Sequence, residues 1–148
     1  PKNFENAAMM AAAKGIIMGF ETMETDFMNT TEKAMKYVNF IDSPYLGVYP
    51  DSGNLTNAAV SCCMNVLDDL ETGRDHIFAL HLKETVPGKF REIPFLTGHV
   101  DFAAIIAKAW ELGIRRYVTE MCDVGRAGWK DDIKFAVQSM SSILDRQQ

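Results

Sequence analysis

The sequence predicts an α/β fold of parallel strands, each followed by a helix. Three observations carry this. Short apolar runs of strand length recur at Ile16–Phe20, Leu46–Tyr49, Ile77–Leu80 and Arg116–Thr119. A segment with helical periodicity follows each run, giving four strand–helix units. No hairpin signal interrupts the alternation, so consecutive strands are expected to run parallel through right-handed crossovers. The strands are short and apolar, as expected of a sheet covered by helices. A small doubly wound sheet and half of an eight-stranded barrel both fit. The absence of a Gly-rich fingerprint after the first strand weakens the nucleotide-binding version of the first.

In chain order, Asn3 to Lys14 reads as a helix rich in Ala and Met, stopped by Gly15. The first strand ends at Glu21. A helix is expected from Thr31, with Ala34, Met35, Val38 and Ile41 on one face, and Ser43-Pro44 breaks it. The second strand, Tyr45 to Tyr49, runs into the loop-forming cluster Pro50 to Asn54. One long helix is expected from Asn57 to Thr72, with Val60, Cys63, Met64, Leu67 and Leu70 facing inward. The third strand spans His76 to Leu82. A long loop from Lys83 to Val100 follows, and loops of this length are usually functional lids or disordered. Asp101 caps the next helix, where Phe102, Ile105, Ile106, Ala109 and Trp110 share a face. The fourth strand is Arg116 to Met121. It leads to a last helix expected to bury Trp129, Ile133, Ala136, Val137, Met140 and Ile143 or Leu144.

At 148 residues the chain reads as one domain, residues 1–148, with a formal charge of −5 and no basic block. That argues against nucleic acid as a partner. No apolar run approaches the roughly 20 residues that span a bilayer. Lys2, Asn3, Glu5 and Lys14 break up the Ala/Met-rich start, so no signal peptide is expected there and a cytoplasmic location is. The three cysteines, Cys62, Cys63 and Cys122, are expected to be reduced, buried thiols. The opening on Pro1, close to the first helix, suggests a piece of a longer protein.

Each strand runs into a residue that binds divalent cations: Glu21, Asp51, His81 and Glu120. In parallel α/β architectures the carboxyl ends of adjacent strands converge on one mouth. Three carboxylates and an imidazole gathered there repel one another unless a cation is shared. An oxygen-rich set with one nitrogen suits Mn, Zn, Co or Mg rather than a thiolate-selected metal. A single acidic residue past a strand is usually a turn former or helix cap; four in consecutive units are harder to explain that way.

The segments Glu21-Thr-Met-Glu-Thr-Asp-Phe-Met28, Ile41-Asp-Ser-Pro-Tyr-Leu-Gly-Val-Tyr-Pro-Asp-Ser-Gly-Asn-Leu55 and His81-Leu-Lys-Glu-Thr85 resemble the L-xylulose-5-phosphate (L-ribulose-5-phosphate) 3-epimerase family. So do Phe90-Arg-Glu-Ile-Pro-Phe95, Gly98-His-Val-Asp-Phe102 and Glu120-Met121. That family, also labelled hexulose-6-phosphate isomerase, belongs to the xylose-isomerase-like barrels. The resemblance covers nearly the whole chain and corresponds to the C-terminal half of the barrel. It therefore implies a half TIM barrel of four parallel (β/α) units. It also implies a divalent metal, zinc or manganese first, on Glu21, Asp51, His81 and Glu120, with the two glutamates as acid and base. Asn54 and Arg91 match family contacts to the sugar, and His99 in the lid is a further candidate. The implied reaction is 3-epimerisation of a ketopentose phosphate, L-xylulose 5-phosphate to L-ribulose 5-phosphate, through a cis-enediolate. An aldose–ketose isomerase of the same superfamily and a non-catalytic fragment or assembly module are the alternatives.

Two departures stand out. The first four strand–helix units, which supply part of the family's pocket and phosphate contacts, are absent. The turn Leu96 to Phe102 also lacks the first Gly of the family's Gly-x-Gly-x-Val-Asp-Phe pattern. Two open strand edges are expected to be met by another copy or by the other half of the barrel. Lys83, two residues past His81, is expected on the opposite face of its strand. His76 and Lys89 read as structural or solvated, Glu24 and Asp26 as parts of a solvated loop, the methionines as core filler, and Trp110 and Trp129 as anchors of their helices.

Overall fold

In the computed structural model, residues 2–147 apart from 124 and 126 are described. The elements follow in the order α1 (Lys2–Ala13), β1 (Met18–Glu21), α2 (Thr31–Ile41), β2 (Leu46–Tyr49), α3 (Ser52–Cys62), α4 (Val66–Glu71), β3 (Leu80–Leu82), α5 (Phe102–Glu111), β4 (Tyr117–Thr119) and α6 (Trp129–Leu144), with a final 3-10 turn at Asp145–Gln147. β1 pairs in parallel with β2, in register Met18 to Leu46 through Glu21 to Tyr49. β3 pairs in parallel with β4, from Leu80 opposite Tyr117 to Leu82 opposite Thr119. Parallel bridges at Val48–Ile77 and Asp51–His81 join the two pairs. The four strands therefore lie side by side in sequence order, with β1 and β4 at the edges.

The chain passes close to itself at Gly47, where a Cβ would run into the His76 carbonyl and the Phe78 ring. That approach lets Val48 donate to the His76 carbonyl at 2.8 Å and Phe78 donate to Val48 at 3.1 Å, which seats the third strand against the second. Two apolar clusters fill the interior. Ala8, Met28, Ala34, Met35, Val38, Leu46 and Val48 pack α1 and α2 on β1 and β2. Leu70, Leu80, Leu82, Ile105, Ile106, Ala136 and Met140 pack α4, α5 and α6 on β3 and β4. Ile77 touches both. Buried Asp69 ties the halves together, its carboxylate accepting the Thr31 and Glu32 amides at the start of α2 at 2.7 and 3.1 Å.

Several sequence expectations are corrected. The helix expected over 57–72 is two. Asp51 caps α3 by accepting the Asn54 amide, so the helix starts at Ser52 inside the expected loop. Cys63 turns left-handed at φ 51°, and Asn65 caps α4 by accepting from Leu67 and Asp68. This break turns Cys62 and Cys63 out to solvent, so neither is a buried thiol. Val60 is exposed as well. Met28 and Met35 are core, whereas Met9, Met10 and Met23 are exposed. On α6 only Ala136 and Met140 are buried, while Trp129, Ile133 and Val137 face outward.

Candidate metal and acid–base site

Glu21 is the last residue of β1, Asp51 lies two residues past β2, His81 sits within β3, and Glu120 directly follows β4. Parallel register brings these positions level. His81 N–H donates to the Pro50 carbonyl at 2.8 Å, and Glu120 N–H to the Leu82 carbonyl at 2.9 Å. One ligand atom from each of Glu21, Asp51, His81 and Glu120 then lies within 4.8 Å of the others.

Each side chain is held. His81 Nδ1 is 3.0 Å from Glu21 Oε1 and 3.2 Å from Glu120 Oε2. The Tyr49 ring packs against the imidazole with centroids 4.1 Å apart. Burial raises the Tyr49 hydroxyl pKa, and the charges of Glu21 and Glu120 add to the rise. Asp51 is fully buried; its amide donates to the Thr22 hydroxyl at 2.8 Å, and its Oδ1 accepts the Asn54 amide at 2.7 Å. Burial pushes the Asp51 carboxyl up to about 7, against the opposing pull of Lys83 and the Asn54 N–H.

The set fits a divalent cation by its donor chemistry, three carboxylates and an imidazole. A second observation agrees. Asp51 Oδ2 and Glu120 Oε2 are buried without a hydrogen-bond partner. Buried polar atoms are rarely left so, and lone pairs turned into a four-ligand cluster are suited to a metal ion.

The remaining sequence candidates sit differently. Asn54 is buried beneath Asp51, its amide donating to the Thr22 carbonyl at 2.7 Å, while its Oδ1 has no hydrogen-bond partner. Arg91 lines a pocket of about 140 Å³ beside Glu120, with Phe90, Phe95 and Met121, and its exposed guanidinium pairs with Glu24 at 2.7 Å. His99 bonds the Thr85 hydroxyl through Nε2 at 3.0 Å, and so fastens the lid.

Two residues of the site's surroundings were not assigned to it from the sequence. Lys83 was expected on the other face of its strand. Side chains two apart along an extended chain share a face, so Lys83 lies on the His81 side, its ammonium 3.4 Å from Asp51 and 3.3 Å from Glu120. Glu84 is buried under the lid. An acid at the head of a loop containing Gly88, Pro94 and Gly98, whose amides need acceptors, was the available signal.

A family model described as Xylose isomerase-like TIM barrel matches residues 2–139. The chain is 38% identical over 115 residues to a putative L-ribulose-5-phosphate 3-epimerase, SgbU, of Escherichia coli (strain K12), a match covering 74% of this chain and 39% of that protein. It is 35% identical over 104 residues to the L-ribulose-5-phosphate 3-epimerase UlaE of Salmonella paratyphi C (strain RKS4594), covering 70% of this chain and 35% of that one. Among solved structures, a D-tagatose 3-epimerase-like protein aligns with TM-score 0.80 at 20% identity, over 99% of this chain and 53% of the other. An L-ribulose 3-epimerase aligns with TM-score 0.77 at 16% identity, over 97% and 52%. At these identities the structures speak for the fold. The chain spans about two fifths of the length of these curated relatives and about half that of the structural neighbours.

Proposed function

Because the chain belongs to the xylose isomerase-like TIM barrel family, we propose that it carries the metal-dependent acid–base site of a sugar 3-epimerase. The substrate class is a ketopentose phosphate, L-xylulose 5-phosphate or L-ribulose 5-phosphate. The observation that carries the reading is the convergence of Glu21, Asp51, His81 and Glu120 at the strand ends, with two buried carboxylate oxygens that accept no hydrogen bond. Support for the substrate class comes from relatives named L-ribulose-5-phosphate 3-epimerases.

These four residues would hold zinc or manganese, with cobalt or magnesium also compatible. A divalent cation there supplies Lewis acidity to the ketose carbonyl, which acidifies the neighbouring C3 hydrogen. Glu21 and Glu120 come from the two edge strands and flank the cluster. One carboxylate takes the C3 proton and the other returns a proton to the opposite face, inverting that carbon. His81 steadies Glu21, and Lys83 steadies Glu120. Thr22 and the Asn54 amide fix Asp51. The lid over residues 83–100 forms the wall beside Glu120, where Arg91 is a candidate sugar contact and His99 a positioning residue of the lid; Asn54, beneath Asp51, is the other candidate contact.

The test is deuterium incorporation at C3. The chain is incubated with L-xylulose 5-phosphate or L-ribulose 5-phosphate in deuterated water with zinc or manganese, and the sugar is followed by NMR. Label at C3 that disappears for one of the two epimers in Glu120→Gln is the expected result. Label at C1 instead would favour an aldose–ketose isomerase. No exchange by a folded, cation-loaded chain would leave a non-catalytic module that needs the rest of the barrel.

A further inference from the structure

Lys83 lies outside the four-residue cluster, yet its ammonium enters it. The residue is 5% exposed. Ser52 clamps its backbone from both sides, accepting the Lys83 amide at 3.0 Å and donating to the Lys83 carbonyl at 3.1 Å. From there Nζ reaches Asp51 Oδ1 at 3.4 Å and Glu120 Oε1 at 3.3 Å. Asp51 Oδ1 also accepts the Asn54 amide at 2.7 Å, so Lys83 shares that oxygen, while on Glu120 it hydrogen-bonds Oε1. The other two, Asp51 Oδ2 and Glu120 Oε2, are the buried oxygens without a hydrogen-bond partner.

From this division we infer that Lys83 is a positioning residue that sorts the two carboxylates. With the Asn54 amide on Asp51 Oδ1, it engages one oxygen of each carboxylate and leaves the other without a hydrogen bond, so Asp51 and Glu120 each present a single oxygen to a divalent cation. A carboxylate with both oxygens free can chelate through both, whereas an ammonium on one blocks that mode. The same ammonium offsets one of the three carboxylate charges, which limits how tightly the cluster binds a cation. This inference rests on the cation site proposed above.

Calorimetric titration with zinc and zinc-edge X-ray absorption on the wild-type chain, Lys83→Met and Lys83→Arg test it. Wild type should bind one ion with singly bonded carboxylates. Lys83→Met should bind zinc about tenfold or more tightly, because a repelling charge is gone, with one extra oxygen neighbour from Glu120 in the absorption spectrum, since the Asn54 amide still holds Asp51 Oδ1. Lys83→Arg should keep the wild-type shell. A Lys83→Met protein with unchanged affinity and shell overturns the role of Lys83 and leaves the cation site standing. Wild type that binds no cation overturns the site itself, and with it this inference. If Lys83→Met fails to fold, wild type decides alone: chelating carboxylates overturn the inference, and singly bonded ones bear it out.

Discussion

The Glu84 carboxylate accepts the Val100 amide at 3.2 Å, clasping the two ends of the lid loop together. It also accepts from Thr85 at 3.0 Å and, through its other oxygen, from Leu96 at 3.0 Å. Removing it strands three backbone donors, two of them in buried contacts. Glu84→Ala should cost about 2–4 kcal/mol in urea unfolding. Glu84→Gln, which keeps one accepting oxygen, should cost about half as much. Equal stability of all three proteins would show that the lid is held by something else.

Gly98 sits directly on this clasp. A Cβ there would collide with the Thr85 carbonyl and the Glu84 carboxylate, and neither can withdraw without breaking its bonds. Gly98→Ala should therefore lift the lid and destabilise the chain by about 1–3 kcal/mol. The check is protease cleavage within residues 86–98, which should quicken in the variant. Cleavage at the wild-type rate would mean the loop accommodates the methyl.

If Glu21 and Glu120 serve opposite faces of C3, each variant should lose one half of the reaction. With saturating cation, Glu21→Gln should still exchange the C3 hydrogen of one epimer, and Glu120→Gln that of the other. Net epimerisation should fall by about 10²–10⁴ in both. The readout is deuterium wash-in for each epimer separately. Two variants with the same residual preference would argue for a single base.

That the four ligand side chains meet was legible in the sequence, because parallel strands in sequence order bring their carboxyl ends level. Glu21, Asp51, His81 and Glu120 needed no knowledge of packing. Lys83 was legible on the same ground, since two residues past His81 it shares that residue's face, and an opposite face does not follow from a period of two. The helix break at Cys63 carries no Gly or Pro, and only the cap at Asn65 hinted at it. On α6 the apolar residues occupy more than one face, so periodicity alone does not say that Ala136 and Met140 face inward while Phe135 and Val137 face out.

Acid should reveal how α4 is fastened to α5. Glu71 bonds Arg74 on one side and Lys108 at 2.6 Å on the other, and Lys108 also reaches Glu111 at 3.1 Å. The bonds from Arg74, then Lys108, hold the Glu71 carboxyl down to about 2 from its ordinary 4.5. A folded-state value below the unfolded one gives stability that is present above about 4.5 and lost as pH falls towards about 2. Urea midpoints should fall more steeply over that window for wild type than for Glu71→Gln, and high salt should narrow the difference because the pair is exposed. Parallel curves at low salt would count against the link.

The open edges should decide what completes the molecule. Among the described residues β1 and β4 each pair on one side alone, and exposed apolar residues flank them in the chain: Met9, Met10, Ile16 and Ile17 before β1, Trp129, Ile133, Phe135 and Val137 on α6 after β4. Such patches on strand edges call for a covering surface. The chain already brings an outer helix to both ends, α1 before β1 and α6 after β4. Two copies closing a ring would crowd α1 of one and α6 of the other onto each seam. A segment of four strands joined by three helices, beginning and ending on a strand, would meet both edges without that clash. Mixed with such a segment from a relative's N-terminal half, the chain should form a one-to-one complex by sedimentation, and Phe135→Glu with Met10→Glu should weaken it. A stable two-copy ring that excludes the added segment would contradict this.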